Sequence, residues 1–335
     1  MEDTCGFAPV LWDFRIDAKK ELHFSMTDIA PGIRLIDLNY QGLDNIIATA
    51  VVETPAGLLL IDPGPSASLP RLNAELNRLG IAWPDIQGLL LTHIHLDHCG
   101  ASGSLMQEHP WLKLYVHERG APHMVDPRRL LESAKQLYGD AMDSLWGPFL
   151  PVPADRLITL QGEERLKFDS RVMEVAYTPG HASHHISFLD TQTGIAFCGD
   201  VGGLRLAGLT SILPPTPPPD IHLENWETSI ARIRQWSPSG LFLTHFGLVD
   251  GSPSEHLDRL QTQLTNYANR VKTIIDASMS DADRVKAFVE DVVRELRSEN
   301  SEEGLEFYLK VVPLDLCYLG LQRYWKKKRI TSPQA

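Results

Sequence analysis

The chain has 335 residues, of which 43% are hydrophobic and 22% are charged, values that are usual for globular proteins. This length fits one large catalytic domain with a smaller added element, and the composition excludes fibrous and disordered chains. Lys and Arg total 31 against 43 Asp and Glu, and the formal charge of −12 disfavours a nucleic-acid partner.

Three features of the sequence bear on cellular location. The N-terminal residues begin with acids and lack a basic start followed by a long apolar stretch, so we expect no secretory signal. No apolar run is long enough to cross a membrane, which predicts no membrane partner. Cys5, Cys99, Cys198 and Cys317 are widely spaced, as in proteins of a reducing compartment. We therefore expect a cytoplasmic protein.

The first half of the chain alternates strand and helix patterns. Paired strands are predicted at IRLIDL, IIATAVVE and GLLLIDPGP, followed by a helix over 67–79 and a strand at GLLLTH. Further strands are predicted at WLKLYVH, RVMEVAY, HISFLD and GIAFCGD. Because helices lie between the strands, we expect helix layers that cover the faces of a mixed sheet.

An insert rich in Leu, Met and Trp occupies about residues 120–153 and is predicted to be helical. The segment LPPTPPPD at 213–220 lacks so many backbone donors that it predicts a stiff extended connector. A helix at HLENWETSIARIRQW and a strand at GLFLTH follow it. We predict a catalytic domain at 1–250 and a C-terminal helical region at 251–335.

The C-terminal region shows helical patterns at 257–271 and 285–296, and a third apolar segment at 305–324. The apolar stripes of these helices could pack on the catalytic domain or pair with a second copy of the chain in a homodimer. The basic run from Lys326 to Arg329 is expected to be a solvated tail rather than a nucleic-acid-binding element.

The segment THIHLDHCG carries four groups that can bind metal ions. His93 and His95 are two residues apart, so an extended chain turns both imidazoles to the same side, where they can bind one ion. Asp97 and His98 follow after the chain turns, and they can serve a second ion beside the first. Imidazole with carboxylate suits divalent zinc, iron or manganese.

Three further residues of the same chemical types adjoin the ends of apolar strands. His181 follows the turn that Pro179 and Gly180 impose, Asp200 ends the segment GIAFCGD, and His245 ends GLFLTH. A single histidine of this kind is more often a structural residue than a ligand. Seven such residues at strand ends together predict a binuclear metal site.

The pattern HxHxDH, followed by His in TPGH, Asp in GD and His in THFG, resembles the metallo-β-lactamase superfamily over about residues 30–250. The resemblance implies an α/β protein with a four-layer αββα sandwich, here with a helical insert and added C-terminal helices. It also implies the following assignment of ligands: His93, His95 and His181 on one metal, Asp97, His98 and His245 on the other, and Asp200 bridging both.

The resemblance also distinguishes branches within the family. True zinc β-lactamases lack an Asp at the position of Asp200, whereas hydroxyacylglutathione hydrolases, lactonases and phosphodiesterases have one. Asp62, at the end of LLLIDPGP, would orient the HxHxDH loop, and His185 corresponds to a histidine that hydroxyacylglutathione hydrolases have after TPGH. Both would support the metal ligands from outside. His184 replaces the glycine of those enzymes and is expected to line the mouth of the site.

Two divalent ions in such a site would lower the pKa of a bridging water, so that hydroxide attacks the substrate. The groups expected to take part in the reaction are His93, His95, Asp97 and Asp200. The acidic balance and the lack of a clustered basic site in the insert favour an ester, thioester or lactone of a small organic molecule over a phosphodiester.

An apolar substrate tail would need an apolar wall in this site. Met124, Met142, Trp146 and Trp226 are candidates for such a wall, although packing of the insert onto the domain is the simpler interpretation.

Two other functions stay open at the level of the sequence. A mononuclear iron dioxygenase resembling persulfide dioxygenases would use only His93, His181 and Asp200 as ligands. A metal-containing ligand-binding protein with slow turnover would close its insert and C-terminal helices over a bound molecule. Counting the metals and testing for oxygen consumption separates the dioxygenase from the hydrolase.

Overall fold

The computed structural model describes residues 26–206 and 209–331. The expectations for the N-terminal segment, including Cys5, concern residues outside these ranges. Two sheets pack face to face, and helices cover the outer faces of both. This architecture confirms the predicted α/β fold, a four-layer αββα sandwich with added C-terminal helices.

The first sheet has seven strands in the described ranges, and they lie in chain order from one edge to the other. Its strands are β1 (Met26–Ala30), β2 (Ile33–Asp37), β3 (Ala48–Thr54), β4 (Gly57–Ile61), β5 (Ile86–Leu90), β6 (Lys113–His117) and β7 (Leu157–Leu160). Strands β1 to β4 pair antiparallel, whereas β4 to β7 pair in parallel. The carboxyl ends of β4 and β5 therefore meet at one edge of the sheet, where Asp62 and the HxHxDH loop follow.

The second sheet has six strands in the order β13, β12, β11, β10, β9, β8 within the same ranges. Its strands are β8 (Arg165–Phe168), β9 (Arg171–Tyr177), β10 (Ile186–Asp190), β11 (Ile195–Phe197), β12 (Gly240–Leu243) and β13 (Gly247–Leu248). Strands β11 and β12 are parallel neighbours. Their carboxyl ends bring Asp200 and His245 to one side of the sheet.

Two sets of helices surround the sheets. The helices near the first sheet and in the insert are α1 (Leu69–Arg78), α2 (Leu96–Cys99), α3 (Ser102–Glu108), α4 (Ala121–Val125), α5 (Arg128–Tyr138) and α6 (Met142–Trp146). The later helices are α7 (Leu223–Gln235), α8 (Pro253–Ile274), α9 (Asp281–Glu299), α10 (Glu302–Val311) and α11 (Leu314–Thr331). Of these helices, none is both long and apolar enough to cross a membrane.

Strand β3 shows how the core is built from both faces of a sheet. Ala50 and Val52 face the second sheet and pack in the same apolar layer as Phe188 and Phe242. Val51, between them, packs in the outer layer under the helices. Because both faces of the strand are buried, its sequence is a continuous apolar run rather than an alternation.

The sequence patterns missed four strands, β1, β7, β8 and β13, and these are the four edge strands of the two sheets. An edge strand is partly exposed and carries polar residues, so its apolar pattern is weak. In β8, for example, Arg165 and Lys167 are exposed. The missed strands therefore share one physical cause.

The C-terminal region differs from its prediction in two respects. The apolar segment predicted at 305–324 is two helices, α10 and α11, because the chain breaks around Pro313. The basic run predicted to be a solvated tail forms the last turns of α11, where Lys328 contacts Glu224 and Arg329 pairs with Asp276 at 2.6 Å.

Helices α8, α9 and α10 begin with serine caps, and they pack with α11 within the chain. Ser252, Ser280 and Ser301 each accept a hydrogen bond from a backbone N–H of the first turn of their helix. The apolar faces of α8 to α11 share one core with α7. Because that core is continuous, the domain boundary at about residue 250 stays a prediction.

Candidate metal centre

The HxHxDH loop starts three residues after β5 and places its four polar side chains in two pairs. His93 and His95 lie in the chain before α2, and Nε2 of His93 is 3.0 Å from Nδ1 of His95. Asp97 and His98 lie within the single turn of α2. His93 and His98 are fully buried, whereas the side chain of Asp97 is 23% exposed.

His181 reaches the centre from the turn after β9. Gly180 has a φ of 142°, and a Cβ atom at this position would lie 2.4 Å from the Cα atom of Trp226 in α7. Only glycine fits there, because α7 packs directly against the turn. The ring of Trp226 in turn lies against the imidazole of His181, with ring centroids 5.7 Å apart. The close approach of α7 therefore fixes one side of this imidazole.

Asp200 and His245 follow two parallel neighbouring strands. Strand β11 ends at Phe197, and Asp200 lies in a 3-10 turn at Gly199–Gly202, so the expectation that the strand itself ends on Asp200 was wrong. His245 comes two residues after the end of β12. The tight turn allows Asp200 to point across the sheet edge toward the HxHxDH loop.

The structure brings all seven predicted ligands together as two clusters. Within each cluster the potential ligand atoms lie within 4.8 Å of one another. The first cluster consists of His93, His95, His181 and Asp200, and the second of Asp97, His98 and His245.

Asp200 lies between the two clusters. Its Oδ2 atom is 3.4 Å from Nε2 of His181 in the first cluster. Its Oδ1 atom is 3.2 Å from Nε2 of His98 and 3.7 Å from Nε2 of His245 in the second cluster. One carboxylate thus offers a separate oxygen to each group of histidines, which is the position that the resemblance implied.

The hydrogen bonds of the imidazoles fix which nitrogens are free. Nδ1 of His181 is 2.8 Å from the carbonyl oxygen of Pro215, and Nδ1 of His245 is 2.8 Å from that of Ile46. Because a carbonyl oxygen only accepts, each Nδ1 donates, and the Nε2 of a neutral ring keeps a lone pair. Nε2 of His245 faces Oδ2 of Asp97 at 3.3 Å. Burial lowers the pKa of His245, but the hydrogen bond with Asp97 and the charges of Asp200 and Asp97 raise it, so this pair favours a positive charge between its two atoms, either a proton or a metal ion.

Two buried atoms in the middle of the centre lack hydrogen bonds to the described part of the chain. Nε2 of His98 and Oδ1 of Asp200 have no hydrogen-bond partner within residues 26–206 and 209–331, although they lie 3.2 Å apart. Unpartnered buried polar atoms are rare in native proteins, and they often mark a place for an ion. Neutral imidazoles and carboxylates that converge in this way fit divalent metal ions.

The pKa values of the buried imidazoles differ between the two clusters. Burial lowers the pKa of His93 well below its usual value and that of His95 to about 4, and neighbouring imidazoles add to the effect. For His98, burial acts in the same direction, but the negative charges of the carboxylates, above all Asp200, raise the pKa well above its usual value. The rings of the first cluster are therefore neutral, whereas the carboxylates beside the second cluster favour a positive charge on or beside its rings.

Asp62 connects the strands that carry the ligands. Its Oδ1 atom accepts from the backbone N–H of Thr92, and its Oδ2 atom accepts from the hydroxyls of Thr92 and Thr244 and from Nδ1 of His98, all at 2.7–2.8 Å. Thr92 and Thr244 each precede a ligand histidine. Neither threonine was predicted from the sequence, although the pair Thr-His recurs at two strand ends and could have indicated both residues.

His185 and His184 lie beside the centre rather than in either cluster. The ring of His185 stacks on that of His93 at 5.1 Å, and its Nδ1 atom pairs with the hydroxyl of Thr178 at 2.9 Å. The side chain of His184 is almost buried and lines the cavity above the centre. The supporting role predicted for His185 and the position predicted for His184 fit these contacts.

Of the four residues predicted as candidates for an apolar wall, one lines the cavity. Trp146 lines it, whereas Met124 and Trp226 are fully buried in the core, and Met142 does not reach the cavity. For these three residues the simpler interpretation, packing of the protein interior, agrees with the structure. The apolar wall also includes other residues of the insert, of the proline-rich connector, of the catalytic domain and of the C-terminal helices.

Comparison with known proteins gives the family. The family model described as the metallo-beta-lactamase superfamily matches residues 44–245, more than half of the chain. The metallo-beta-lactamase fold-containing protein ST1585 of Sulfurisphaera tokodaii is 31% identical over 178 residues, which cover 51% of this chain and 65% of that protein. The hydroxyacylglutathione hydrolase GloC of Haemophilus influenzae is 34% identical over 142 residues, which cover 42% of this chain and 59% of that enzyme.

These matched regions span less than two thirds of each curated relative. Among solved structures, the metallo-beta-lactamase family protein TTHA1429 from Thermus thermophilus has a TM-score of 0.64 at 19% identity, over 91% of this chain and 95% of that chain. This likeness shows the shared fold and extends it over the C-terminal helices. The chain belongs to the metallo-β-lactamase superfamily, whose members are mostly metal-dependent hydrolases.

Proposed function

We propose that this protein is a hydrolase that uses two divalent metal ions to cleave an ester, thioester or lactone of a small organic molecule. The observation that carries the proposal is the position of Asp200, whose two oxygens face different histidine clusters. Zinc is the expected metal, with iron or manganese as alternatives, because the donors are imidazoles and carboxylates. The hydroxyacylglutathione hydrolases among the relatives support thioester chemistry.

The residues that would hold the two ions are those of the two clusters. His93, His95 and His181 would hold one ion, Asp97, His98 and His245 the other, and Asp200 would bridge them. When bound, such ions lower the pKa of water and polarise a carbonyl oxygen.

The chain's own contribution is to orient the reacting groups. In the net reaction the oxygen of water joins the carbonyl carbon, the bond to the leaving oxygen or sulfur breaks, and that atom takes up a proton. Of the two candidate ligand carboxylates Asp97 is the more exposed, with 23% of its side chain exposed against 7% for Asp200. Burial opposes its ionisation, but His98 and His245 beside it hold the pKa of Asp97 below its usual value. Asp97 is therefore an ionised acceptor that can orient water.

A mononuclear iron dioxygenase is the main competing function. It would need only His93, His181 and Asp200, and it would leave Asp97 and His245 without a ligand role. The close convergence of the second cluster supports two ions over one.

The test combines metal analysis with a substrate panel. Elemental analysis of the purified protein should find about two metal ions per chain. Esters, thioesters, lactones and phosphodiesters should be assayed with and without oxygen, and hydrolysis of a carboxylic substrate should be independent of oxygen. The variant His95→Ala should lose this hydrolysis, whereas His222→Ala, at the exposed residue before α7, should keep it.

Three results would contradict the proposal. One iron per chain together with oxygen consumption would favour the dioxygenase. Full activity of a folded His95→Ala protein would remove the first cluster from the reaction. Tight binding of a small organic acid without turnover on the whole panel would favour a ligand-binding protein.

A further inference from the structure

A cavity of about 390 Å³ opens above the metal centre. His95, Asp97, Asp200 and His245 form part of its lining, so a molecule bound in it contacts the candidate ligands. This volume is in the range of cavities that bind small organic molecules. The rest of the lining therefore determines which substrates fit.

Most of the cavity wall is apolar, and two added parts of the chain contribute to it. Leu137 and Leu145 belong to the helical insert, whereas Val311 and Pro313 lie at the junction of α10 and α11. Apolar side chains on both sides of a cavity favour an apolar group between them. The added helices thus convert an open metal site into one that selects for an alkyl chain or a ring.

Three basic side chains line the same cavity. Arg119, His123 and Arg129 come from the loop after β6 and from α4 and α5. Arg119 lies over the ring of Tyr177 at 5.6 Å, and neither Arg119 nor Arg129 forms an ion pair with a carboxylate of the described residues. Arg119 precedes the helical insert and Arg129 belongs to it, so the insert itself contributes one arginine to the cavity lining. In a chain of charge −12, such unpaired arginines favour an organic anion.

Two unpartnered donors lie on the inner wall. The hydroxyl of Tyr40 and the indole N–H of Trp146 are buried without a hydrogen-bond partner among the described residues, and both side chains line the cavity. Their rings stack with centroids 5.8 Å apart. Burial, and then the nearby charge of Asp97, raise the pKa of Tyr40, so its hydroxyl stays a protonated donor. A polar oxygen of a bound molecule can accept from such donors.

We propose that the substrate is an amphipathic acyl compound with an apolar chain or ring and an anionic group. The apolar part lies between the insert and the α10–α11 junction, and the anionic group lies at Arg119 and Arg129. The carbonyl group lies near the metal ligands, within reach of the donors on Tyr40 and Trp146. The reaction at the carbonyl rests on the proposed function, whereas the binding of the apolar and anionic parts does not.

The test measures binding to the purified, metal-containing protein without turnover. Octanesulfonate and octanol share one alkyl chain and differ in charge, and methanesulfonate reports any binding of the sulfonate to the metals alone. Octanesulfonate should bind more tightly than either of the other two. Its affinity should rise about fourfold for each added CH₂ until the cavity is filled.

Neighbouring arginines on α5 provide a matched control. Arg129→Gln should weaken octanesulfonate binding about two- to fivefold and leave octanol binding unchanged, and Arg119→Gln should act in the same way. Arg128 is adjacent in sequence, but it pairs with Asp126 at 2.8 Å and does not line the cavity. Arg128→Gln should therefore bind both probes as the parent protein does. Equal affinity for octanesulfonate and octanol, or equal effects of Arg128→Gln and Arg129→Gln, would overturn the inference.

Kinetics with matched esters separates failure of the inference from failure of the proposed function. If anionic and neutral esters of one chain length show the same KM, and Arg129→Gln changes neither of these KM values, the inference fails and the hydrolase stands. If no substrate is hydrolysed but octanesulfonate binds with the expected dependence on Arg129, the hydrolase fails and the inference stands.

Discussion

His181 donates a hydrogen bond from Nδ1 to the carbonyl oxygen of Pro215 at 2.8 Å, and this bond directs its Nε2 atom toward the first cluster. Pro215 belongs to the proline-rich connector, which forms no helix and no regular strand at 214–220, as predicted. The connector is held by α11, since the hydroxyl of Thr216 donates to the carbonyl oxygen of Cys317 at 3.1 Å. A C-terminal helix thereby supports the orientation of a candidate metal ligand.

This relationship predicts that Gly320→Ala weakens metal binding. A Cβ atom at Gly320 would lie 2.0 Å from the carbonyl oxygen of Thr216, so the connector and Pro215 must move. We expect a loss of about 1–3 kcal/mol in unfolding free energy and a lower metal content, measured by chemical denaturation and elemental analysis. Arg323→Ala, at an exposed position of the same helix, should change neither. Full metal content in a destabilised Gly320→Ala protein would show that the connector does not position His181.

Asp62→Asn should disturb the second cluster in particular. Asp62 accepts four hydrogen bonds through its two oxygens, and an amide would turn one acceptor into a donor that faces other donors. Loss of the partner that holds a ligand imidazole commonly costs about 10- to 100-fold in metal affinity or activity. Competition with a coloured chelator should therefore show that one of the two metal sites has a lower affinity for the metal. Asp85→Asn, at an exposed carboxylate that accepts from the Ala82 N–H, is the control. Two unaltered sites in Asp62→Asn would argue against the role of Asp62.

Chelation should lower the thermal stability of the protein. The ions would neutralise the carboxylates that converge at Asp200, and bound ligand stabilises a fold by about 3 kcal/mol when its concentration is 100 times the dissociation constant. Calorimetry should show a lower Tm after chelation and recovery on addition of zinc. In Asp200→Ala the shift should be smaller, because one ligand shared by both clusters is missing. A Tm that does not respond to chelator in the parent protein would count against a metal centre.

The stability should fall between pH 7 and pH 5, in part because of His256. This residue of α8 is 4% exposed, and its Nε2 atom donates to the carbonyl oxygen of Gly202 at 2.8 Å. Burial lowers its pKa from 6.5 to about 4, so below pH 6.5 the unfolded chain binds a proton that the folded chain does not. The contribution of His256 is complete above pH 6.5 and declines as the pH falls toward 4.

His256→Gln, which carries no charge in this range, isolates that contribution. Between pH 7 and 5 the parent protein should lose about 2 kcal/mol more unfolding free energy than the variant does, as measured by urea denaturation at saturating zinc. Saturating zinc keeps the contribution of the ligand histidines to this difference in unfolding free energy small. Parallel stability curves for the two proteins would contradict the assignment.

The sequence predicted the buried parts of the fold and missed the exposed ones. Runs such as IIATAVVE and HISFLD are apolar throughout because both faces of β3 and β10 are covered, and such runs are recognisable without a structure. The missed strands, β7 and β8 among them, lie at sheet edges, where polar residues weaken the pattern. Pro313 lies inside the apolar segment at 305–324, and a proline at this position indicates the break between α10 and α11.

What the sequence alone determined is the chemistry of the centre: the seven imidazole and carboxylate residues, their positions after apolar strands, and the supporting carboxylate of Asp62. These features are local, because the residue type and the end of a strand are both written in a few adjacent letters. Only the tertiary structure decided that Asp200 divides its oxygens between two clusters. It also decided that the backbone carbonyls of Pro215 and Ile46 orient two histidines. The position of Arg119 and Arg129 at the same cavity as Val311 likewise depends on the tertiary structure. Those relationships join segments far apart in the chain, and their geometry arises from the packing of sheets and helices, which leaves no local pattern in the sequence.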